Sequence, residues 1–271
     1  MIVFPNCKIN LGLHILQKRT DGFHDLETIF YPVPLQDALE IIQNPLSQFN
    51  EIEFTTSGLN VDTSQNICVS AYQILKKDVG RLPSIKMHLH KTIPLGAGLG
   101  GGSSDGAFAL MSLNRKFNLG LSEKQLISKA LDLGSDCPFF IKNKPCYAGG
   151  RGEVLEEINL NLDNYKMVLV NPGIHINTAL AFSKIKPHNS RRSLKQTVQL
   201  PVVEWKDALK NDFENSVFFE YPEIQNIKEQ LYRQGAVYAS MSGSGSTVYG
   251  LFEKSYPLQF HFPAHYFIKE L

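Results

Sequence analysis

Residues 94–104 constrain this chain more than any other segment, because five of these eleven residues are glycine. Glycine lets the backbone come close to a bulky ligand and adopt positive φ angles. A helical pattern follows at once, and the first turn of a helix offers unpaired N–H groups and a partial positive charge. Phosphate oxygens suit such a site. The segment therefore predicts a nucleotide or another phosphorylated ligand that is held mainly by main chain.

Other glycine-rich motifs share part of this pattern. Gly96, Gly98 and Gly101 match the dinucleotide fingerprint, but that site needs an acidic residue about 20 positions later, at the end of a second strand. Residues 121–131 are instead predicted to be helical. A Walker A loop needs a lysine before its Ser/Thr, and residues 102–104 read Gly-Ser-Ser. Protein-kinase signatures are absent from the sequence. The remaining alternative is a glycine-rich turn without a ligand. In such a turn the glycines would lose backbone entropy on folding, and no bound ligand would compensate for that loss.

The composition is that of an ordinary globular protein. The chain has 271 residues, 43% of them hydrophobic, which is enough for a sizeable core and two subdomains. Its net charge of +1 gives no support for binding to nucleic acid or to a membrane surface. The sequence contains no apolar run that could span a bilayer, and residues 1–10 lack the features of a signal peptide. Free, buried thiols in a reducing cytoplasm are expected for the cysteines, Cys7, Cys68, Cys137 and Cys146, which form no C-x-x-C pair.

Periodicity predicts a mixture of strands and helices without internal repeats, which is typical of an α+β fold in two lobes. Strands are predicted at 9–15, 37–42, 51–56, 85–91 and 167–170, and a strand-turn-strand unit at 237–252. Helices are predicted from residue 67, directly after the glycine segment, from a capping box at 122–125 to Gly134, and at 205–215 and 223–234. Residues 183–201 are polar and basic and are predicted to be a mobile, solvated loop. The lobe boundary is expected near 151–163.

Two charged residues are candidates for phosphoryl transfer, which needs a fixed nucleotide, neutralised charge and an aligned acceptor hydroxyl. Asp136 follows Gly134 and precedes Pro138, which is expected to end any helix, so a partly buried carboxylate on a tight turn is predicted. Its alternative role is capping or turn formation. Lys8 lies beside the first predicted strand, where a lone lysine is more often solvated than catalytic.

His88 and His90 lie two apart on a strand and are predicted to be surface histidines, with a metal pair as the alternative.

Three blocks, in this order, resemble the GHMP kinases, the superfamily of galactokinase, homoserine kinase and mevalonate kinase. They are the block around Lys8, the glycine segment, and residues 241–245, which read Met-Ser-Gly-Ser-Gly. Further segments are similar to the superfamily members that act on a cytidine-diphosphate-linked methylerythritol: residues 6–11, 19–26 with Asp-Gly-Phe-His, the triple glycine 100–102, and 133–138. The Asp-Gly-Phe-His element is the specific part. The resemblance covers nearly the whole chain and thins after about residue 254.

The resemblance implies a two-lobed α+β fold, with an N-terminal nucleotide-binding domain at residues 1–155 and a C-terminal ferredoxin-like domain at residues 156–271. The active site would lie in the cleft between them. The implied reaction is ATP-dependent phosphorylation of the 2-hydroxyl of the cytidine-diphosphate-linked methylerythritol, with Mg²⁺, in the non-mevalonate isoprenoid pathway. The partners would be these small molecules rather than nucleic acid or a membrane. The protein would be a cytoplasmic monomer or weak homodimer.

The resemblance also implies individual roles. Asp136 would take the hydroxyl proton, and Lys8 would keep Asp136 ionised and orient the acceptor oxygen. ATP would be bound by Asn66 and Lys91 near the nucleoside, and by Pro94, Leu95, Gly96, Ala97, Gly98, Leu99, Gly100, Gly101, Gly102, Ser103 and Ser104 around the phosphates, with Ser104 also reaching Mg²⁺. The substrate would be bound by Asn10, Phe23, His24, Phe30, Thr178 and Phe182. In that set, His24 would bond the cytosine edge, Phe23 and Phe182 would sandwich the base, Phe30 would lie beside the ribose, and Thr178 would help to place the cytidine.

The chain departs from the family pattern at three places. Phe23 stands where the family commonly has tyrosine, and Cys7 replaces the usual alanine. Residues 254–271 are shorter than in many relatives, so a helix that closes the second lobe elsewhere would be missing. Three alternatives stay open: a GHMP kinase with homoserine or a mevalonate derivative as acceptor, a nucleotide-binding sensor without catalysis, and, with least support, a dehydrogenase.

Overall fold

The computed structural model describes residues 1–45, 51–80, 82–185 and 193–271. They form two compact units, each assembled from separate stretches of chain. The first unit consists of Met1–Cys7, Val33–Leu95 and Gly100–Asn143, and the second of Lys8–Pro32, Gly96–Leu99 and Lys144–Leu271. The division of the sequence into domains at residues 1–155 and 156–271 stays a prediction.

The secondary structure is a mixture of strands and helices, as predicted. In chain order the strands are β1 (Ile2–Val3), β2 (Asn6–Lys18), β3 (His24–Gln36), β4 (Ala38–Gln43), β5 (Ile52–Gly58), β6 (Ile85–Lys91), β7 (Cys146–Gly149), β8 (Val154–Glu157), β9 (Tyr165–Asn171), β10 (Tyr238–Met241), β11 (Val248–Glu253) and β12 (Phe267–Glu270). The helices are α1 (Ile67–Val79), α2 (Gly101–Lys116), α3 (Glu123–Leu133), α4 (Cys137–Lys142), α5 (Thr178–Ser183), α6 (Leu194–Thr197), α7 (Trp205–Ala208), α8 (Phe213–Glu220) and α9 (Pro222–Arg233), with a 3₁₀ turn at Val202–Glu204.

The first unit contains a sheet of order β1-β4-β6-β5 and the helices α1 to α4. Strand β6 runs antiparallel to β4 and parallel to β5. Along β6, Ile85, Met87, Leu89 and Lys91 are buried while Lys86 is exposed, so the predicted alternation is confirmed and Lys91 lies on the core face. Helix α1 packs against α2, and α2 packs against α4.

Both ends of α3 follow the predicted local signals, whereas α4 begins where a helix stop was expected. Ser122 and Gln125 form the capping box of α3, which ends before Gly134. The expectation that Pro138 ends a helix is wrong, because Pro138 lies in the first turn of α4. A proline is tolerated there, since the N–H groups of a first turn have no partner within the helix.

The second unit contains a sheet of order β2-β3-β7-β8 and a sheet of order β10-β11-β9-β12. Its core includes Val168 and Val170 of the buried strand β9, together with Ile224, Ile227 and Leu231 of α9. The spacing of the three α9 residues places them on one face of this helix, which the sequence predicted at 223–234. Residues 254–271, expected to lack a closing helix, end in β12, which pairs with β9.

Two predictions for the second unit need correction. Residues 205–215 do not form one helix, because the chain leaves helical geometry between α7 and α8, where Asn211 donates hydrogen bonds of 2.8 and 2.9 Å to the carbonyl oxygens of Met241 and Gly243. The predicted loop at 183–201 contains α6, whose Leu194 is buried and which Ser193 caps. Residues 186–192 of that predicted loop lie outside the described residues.

The structure also bears on the expectations for the cysteines, for a histidine metal pair and for membrane-spanning helices. The four cysteines are free and buried, as predicted. His88 and His90 form hydrogen bonds with Ser57 on the neighbouring strand, at 2.9 Å each. Within the described ranges, His, Cys, Asp and Glu side chains do not gather in groups of three or more that could hold a metal ion. Among the helices that the structure describes, none has both the length and the apolar character needed to cross a bilayer.

Candidate active site

The glycine segment leads from β6 into α2 with three positive φ angles. Gly96, Gly98 and Gly100 have φ of 60°, 78° and 67°, a region that other residues rarely adopt. Gly100 is the last residue before α2. A Cβ atom at Gly98 would lie 2.0 Å from the carbonyl oxygen of Ser242. The sequence therefore needs glycine at position 98 for two reasons, the backbone angle and the close approach of another chain segment.

The tip of the glycine segment is held by its carbonyl oxygens within the second unit. The carbonyl of Ala97 accepts the N–H of Thr247 at 3.2 Å, and that of Leu99 accepts the N–H of Lys8 at 2.9 Å. The carbonyl of Gly98 accepts a hydrogen bond of 2.8 Å from Ser242 Oγ. Because a trans peptide points its N–H opposite to its C=O, the N–H groups of residues 98–100 point away from these partners. Successive N–H groups with this orientation are typical of an anion-binding nest.

Lys8 is buried, although a lone lysine at the start of a strand was expected to be solvated. Its Nζ donates to Asn10 Oδ1 at 2.6 Å and to the carbonyl oxygen of Gly98 at 3.2 Å, and it lies 5.0 Å from the centre of the Phe30 ring. Lys8 and Phe30 are 3% and 2% exposed. The second unit therefore holds a positive charge directly against the glycine segment.

Asp136 lies in the first unit, at the residue before α4, and is half-buried, as predicted. Its φ and ψ of −84° and −17° are helical, whereas a capping residue is usually extended, so this backbone conformation does not favour the capping alternative. The pairing of Asp136 with Lys8, and its role as a base, stay predictions.

Lys91 forms a buried cluster with two carboxylates of the first unit. Its Nζ lies 2.5 Å from Asp37 Oδ2 and 2.6 Å from Asp105 Oδ2, and its side chain is 1% exposed. Burial lowers the pKa of Lys91, but the charges of Asp105 and Asp37 outweigh burial, so the pKa of Lys91 is raised. Burial, together with the charge of Asp37 and against that of Lys91, raises the pKa of Asp105 to about 7. Lys91 is thus the counter-ion of this cluster, and its predicted place near the nucleoside of ATP stays a prediction.

Asp37 also fixes the start of the glycine segment. Its Oδ1 accepts the N–H groups of Thr92 and Ile93, at 2.6 and 2.9 Å. Because Lys91 joins Asp37 to Asp105 on the first turn and a half of α2, one cluster holds the chain on both sides of the glycines. Asp37 and Asp105 were not predicted as site residues, although the alternation of β6 already placed Lys91 on the buried face.

Two further residues of the predicted ATP site have distinct local roles. Asn66 caps α1 by accepting the N–H of Cys68 at 2.9 Å. Ser104 is fully buried in α2, and within the described residues its Oγ has no hydrogen-bond partner. A hydroxyl oxygen with unused bonding capacity fits a hard cation such as Mg²⁺, which prefers oxygen ligands.

The aromatic residues predicted to bind cytidine divide into two groups within the second unit. The ring of His24 stacks on that of Phe182, with centres 5.0 Å apart and an angle of 18°. Phe23 is 54% exposed, and the guanidinium carbon of Arg151 lies 4.9 Å from the centre of its ring. Burial, followed by the positive charge of Lys18, lowers the pKa of His24. The sandwich of Phe23 and Phe182 around a base therefore stays a prediction.

The remaining predicted substrate residues lie beside the serine-rich turn at 242–246. Thr178 Oγ1 is 3.0 Å from Ser244 Oγ, and the backbone N–H of Asn10 donates to Ser242 Oγ at 3.2 Å. The hydrogen bond between Asn10 and this turn was not predicted from the sequence. Arg151 was also missed, although an arginine among the glycines 149, 150 and 152 was a visible signal.

Comparisons with known proteins agree over almost the whole chain. The model of the GHMP kinases N terminal domain matches residues 66–144, and that of the GHMP kinases C terminal matches residues 195–260. A protein of Bacteroides fragilis named 4-diphosphocytidyl-2-C-methyl-D-erythritol kinase is 52% identical over 93% of this chain and 92% of its own length. A protein of the same name from Azobacteroides pseudotrichonymphae is 51% identical over 99% of this chain and all of its own length.

A solved structure supports the same grouping. The crystal structure of 4-(cytidine 5'-diphospho)-2C-methyl-D-erythritol kinase matches with a TM-score of 0.80 and 29% identity, covering 93% of this chain and 90% of that chain. The two-lobed α+β class predicted from the sequence is thereby confirmed. The chain belongs to the GHMP kinase family and, within it, to the 4-diphosphocytidyl-2-C-methyl-D-erythritol kinases.

Proposed function

We propose that this chain transfers the γ-phosphoryl group of ATP to the 2-hydroxyl of 4-diphosphocytidyl-2-C-methyl-D-erythritol, giving the 2-phosphate and ADP. This reaction is a step of the non-mevalonate route to isoprenoid precursors. The names of the relatives, at about half identity over nearly the full length, support the substrate. The observation that carries the proposal is the hydrogen bond from the buried Lys8 ammonium to the carbonyl oxygen of Gly98. It places a cation against a glycine segment of the kind that binds phosphate.

In the proposed mechanism, the N–H groups of the glycine segment and the start of α2 bind the phosphates of ATP. Asp136 accepts the proton of the 2-hydroxyl while the oxygen attacks the γ-phosphorus, and the bond from that phosphorus to the β-phosphate oxygen breaks. Lys8 keeps the carboxylate ionised and orients the acceptor oxygen. Mg²⁺, when bound, would neutralise phosphate charge, and Ser104 Oγ is the side-chain oxygen that would hold it.

For the substrate, we propose that the exposed face of Phe23, with His24 and Phe182, receives the cytosine ring. Asn10, Phe30 and Thr178 would complete that site. Four free, buried thiols support a reducing compartment such as the cytoplasm. We propose that the protein is a monomer or a weak homodimer. Light scattering of the purified protein would test this oligomeric state.

The test is release of ADP from purified protein with ATP, Mg²⁺ and the cytidylylated methylerythritol. Asp136→Asn and Lys8→Met should each lower kcat by roughly a hundredfold or more, with the KM for ATP changed by less than about threefold, because both act at the transfer step. Asp132→Asn is the control, since Asp132 is exposed on α3 and lies outside the proposed site. Wild-type activity in both variants would remove these residues from the mechanism.

Other acceptors and ligands separate the alternatives. Homoserine and mevalonate carry no base, so turnover with either, but not with the cytidylylated substrate, would favour another GHMP kinase. Cytidine nucleotides should raise the melting temperature while uridine nucleotides leave it unchanged. Tight binding of ATP without transfer to any of these acceptors would instead indicate a sensor.

A further inference from the structure

The hydroxyl of Thr28 has a fixed hydrogen-bond direction. Thr28 lies on β3 and is 1% exposed. Its Oγ1 is 2.5 Å from the carbonyl oxygen of Gly12 and 2.9 Å from Nδ2 of Asn10. A carbonyl oxygen can only accept, so the single hydroxyl proton goes to Gly12. Asn10 must therefore turn its NH₂ group, and not its oxygen, toward Thr28.

This direction determines which atom Asn10 presents to Lys8. With its NH₂ group on Thr28, Asn10 places Oδ1 2.6 Å from the Nζ of Lys8, which can only donate. A reversed amide would set an NH₂ group against the ammonium and would remove this acceptor from Lys8. Lys8 then also reaches the carbonyl oxygen of Gly98, at 3.2 Å.

The network is closed on its other side by Ser242, which accepts the N–H of Asn10 and donates to the carbonyl of Gly98. Lys8, Asn10, Thr28 and Ser242 are each 3% exposed or less, so bulk water cannot easily replace a lost partner. Asn10 Nδ2 carries two protons, and Thr28 takes one of them. The other suits an acceptor oxygen of the substrate, which reconciles the positioning of Lys8 with the predicted contact of Asn10 to substrate.

We propose that Thr28 is a positioning residue for phosphoryl transfer. Its hydroxyl sets the amide orientation of Asn10, and Asn10 in turn holds the Lys8 ammonium against the glycine segment. The inference rests on the proposed role of Lys8 in the transfer step.

The decisive comparison is between Thr28→Val, which keeps the shape and removes the hydroxyl, and Thr28→Ser, which keeps the hydroxyl. Thr28→Val should lower kcat by roughly tenfold or more while the KM for ATP changes by less than about threefold. Thr28→Ser should recover kcat to within about threefold of wild type. Thr28→Ala is the second variant, in case valine prevents folding, and should lose kcat like valine. Unchanged kcat in the valine or alanine variant, or equal loss in the serine variant, would overturn the proposal.

Two additional measurements separate this proposal from the proposed function. If Thr28 acts through Asn10, adding Thr28→Val to Asn10→Ala should lower kcat no further, whereas an additive loss contradicts it. The crystal structure of Thr28→Val should show Lys8 Nζ outside hydrogen-bond distance of Asn10 Oδ1 or of the Gly98 carbonyl oxygen. An unmoved ammonium would reject the positioning role even if the wild-type protein failed to phosphorylate the cytidylylated substrate, which by itself would reject only the proposed function.

Discussion

Ser242 Oγ donates a hydrogen bond of 2.8 Å to the carbonyl oxygen of Gly98, a residue 144 positions earlier in the chain. This bond joins the serine-rich turn to the tip of the glycine segment within the second unit. Their contact explains why the segment has one shape: the carbonyl oxygens are taken by the protein, and the N–H groups point the other way.

Gly98→Ala should destabilise the protein far more than Gly173→Ala. Both glycines have nearly the same φ, 78° and 77°, so each alanine carries the same left-handed strain of about 1–2 kcal/mol. Only at Gly98 does the added Cβ meet backbone, 2.0 Å from the carbonyl oxygen of Ser242, whereas nothing lies within 4 Å at Gly173. Urea unfolding should show an additional loss of about 2 kcal/mol or more for Gly98→Ala. Equal losses would mean that the close approach is not maintained in solution.

Lys91→Met should lower the free energy of unfolding by about 3–5 kcal/mol, because it leaves Asp37 and Asp105 buried without their counter-ion. Lys86→Met is the matched control on the same strand, since Lys86 pairs with Glu53 at the surface, where both side chains are about half exposed. That control should change the free energy of unfolding by less than about 0.5 kcal/mol. Chemical denaturation of both variants gives the comparison, and a small effect at Lys91 would contradict its assignment as the buried counter-ion.

Phe23→Ala should raise the KM for the cytidylylated substrate by about 5-fold to 150-fold, the equivalent of one base stacked on an aromatic ring. The KM for ATP should not change. Phe219→Ala is the control, because Phe219 is 91% exposed and lies outside the proposed site. Steady-state kinetics with each substrate varied in turn test this prediction. A parallel rise in both KM values would point to a loss of folding rather than of stacking.

The stability contributed by Glu27 should disappear in acid. Burial raises the pKa of Glu27, but its hydrogen bond and charge interaction with His14, 2.9 Å away, and bonds from residues 193 and 194 outweigh burial, so the pKa is lowered from its ordinary value of 4.5. A carboxylate with a lowered folded-state pKa stabilises fully above the unfolded pKa, and this stability is lost as the pH falls through the folded pKa.

The free energy of unfolding of wild type should therefore exceed that of Glu27→Gln at pH 7, and the difference should shrink as the pH falls below about 4.5. Glu53→Gln, at the surface on β5, serves as the control and should differ little from wild type at any pH. Denaturation curves from pH 7 to about 3 supply the data. A difference between wild type and Glu27→Gln that does not depend on pH would show that the carboxylate charge is not the source of stability.

Local signals predicted much of the secondary structure. Alternation gave the bounds of β6, and the capping box of Ser122 and Gln125 gave the start of α3, because both depend on residues near in sequence. Local signals failed at Pro138 and at 205–215. Proline is compatible with either the end or the start of a helix, and the break between α7 and α8 accompanies hydrogen bonds from Asn211 to a segment about 30 residues away.

The class of the protein could be read from its sequence, because glycines, serines and the Asp-Gly-Phe-His element lie in short continuous blocks with a characteristic order. The folded structure was needed to show which side chains bond one another inside each unit. It buries Lys8 beside Asn10, gives Lys91 to Asp37 and Asp105, and assigns a direction to the hydroxyl of Thr28. Hydrogen bonds and desolvation depend on distances in space, and no periodicity along the chain encodes a distance between residues far apart in sequence.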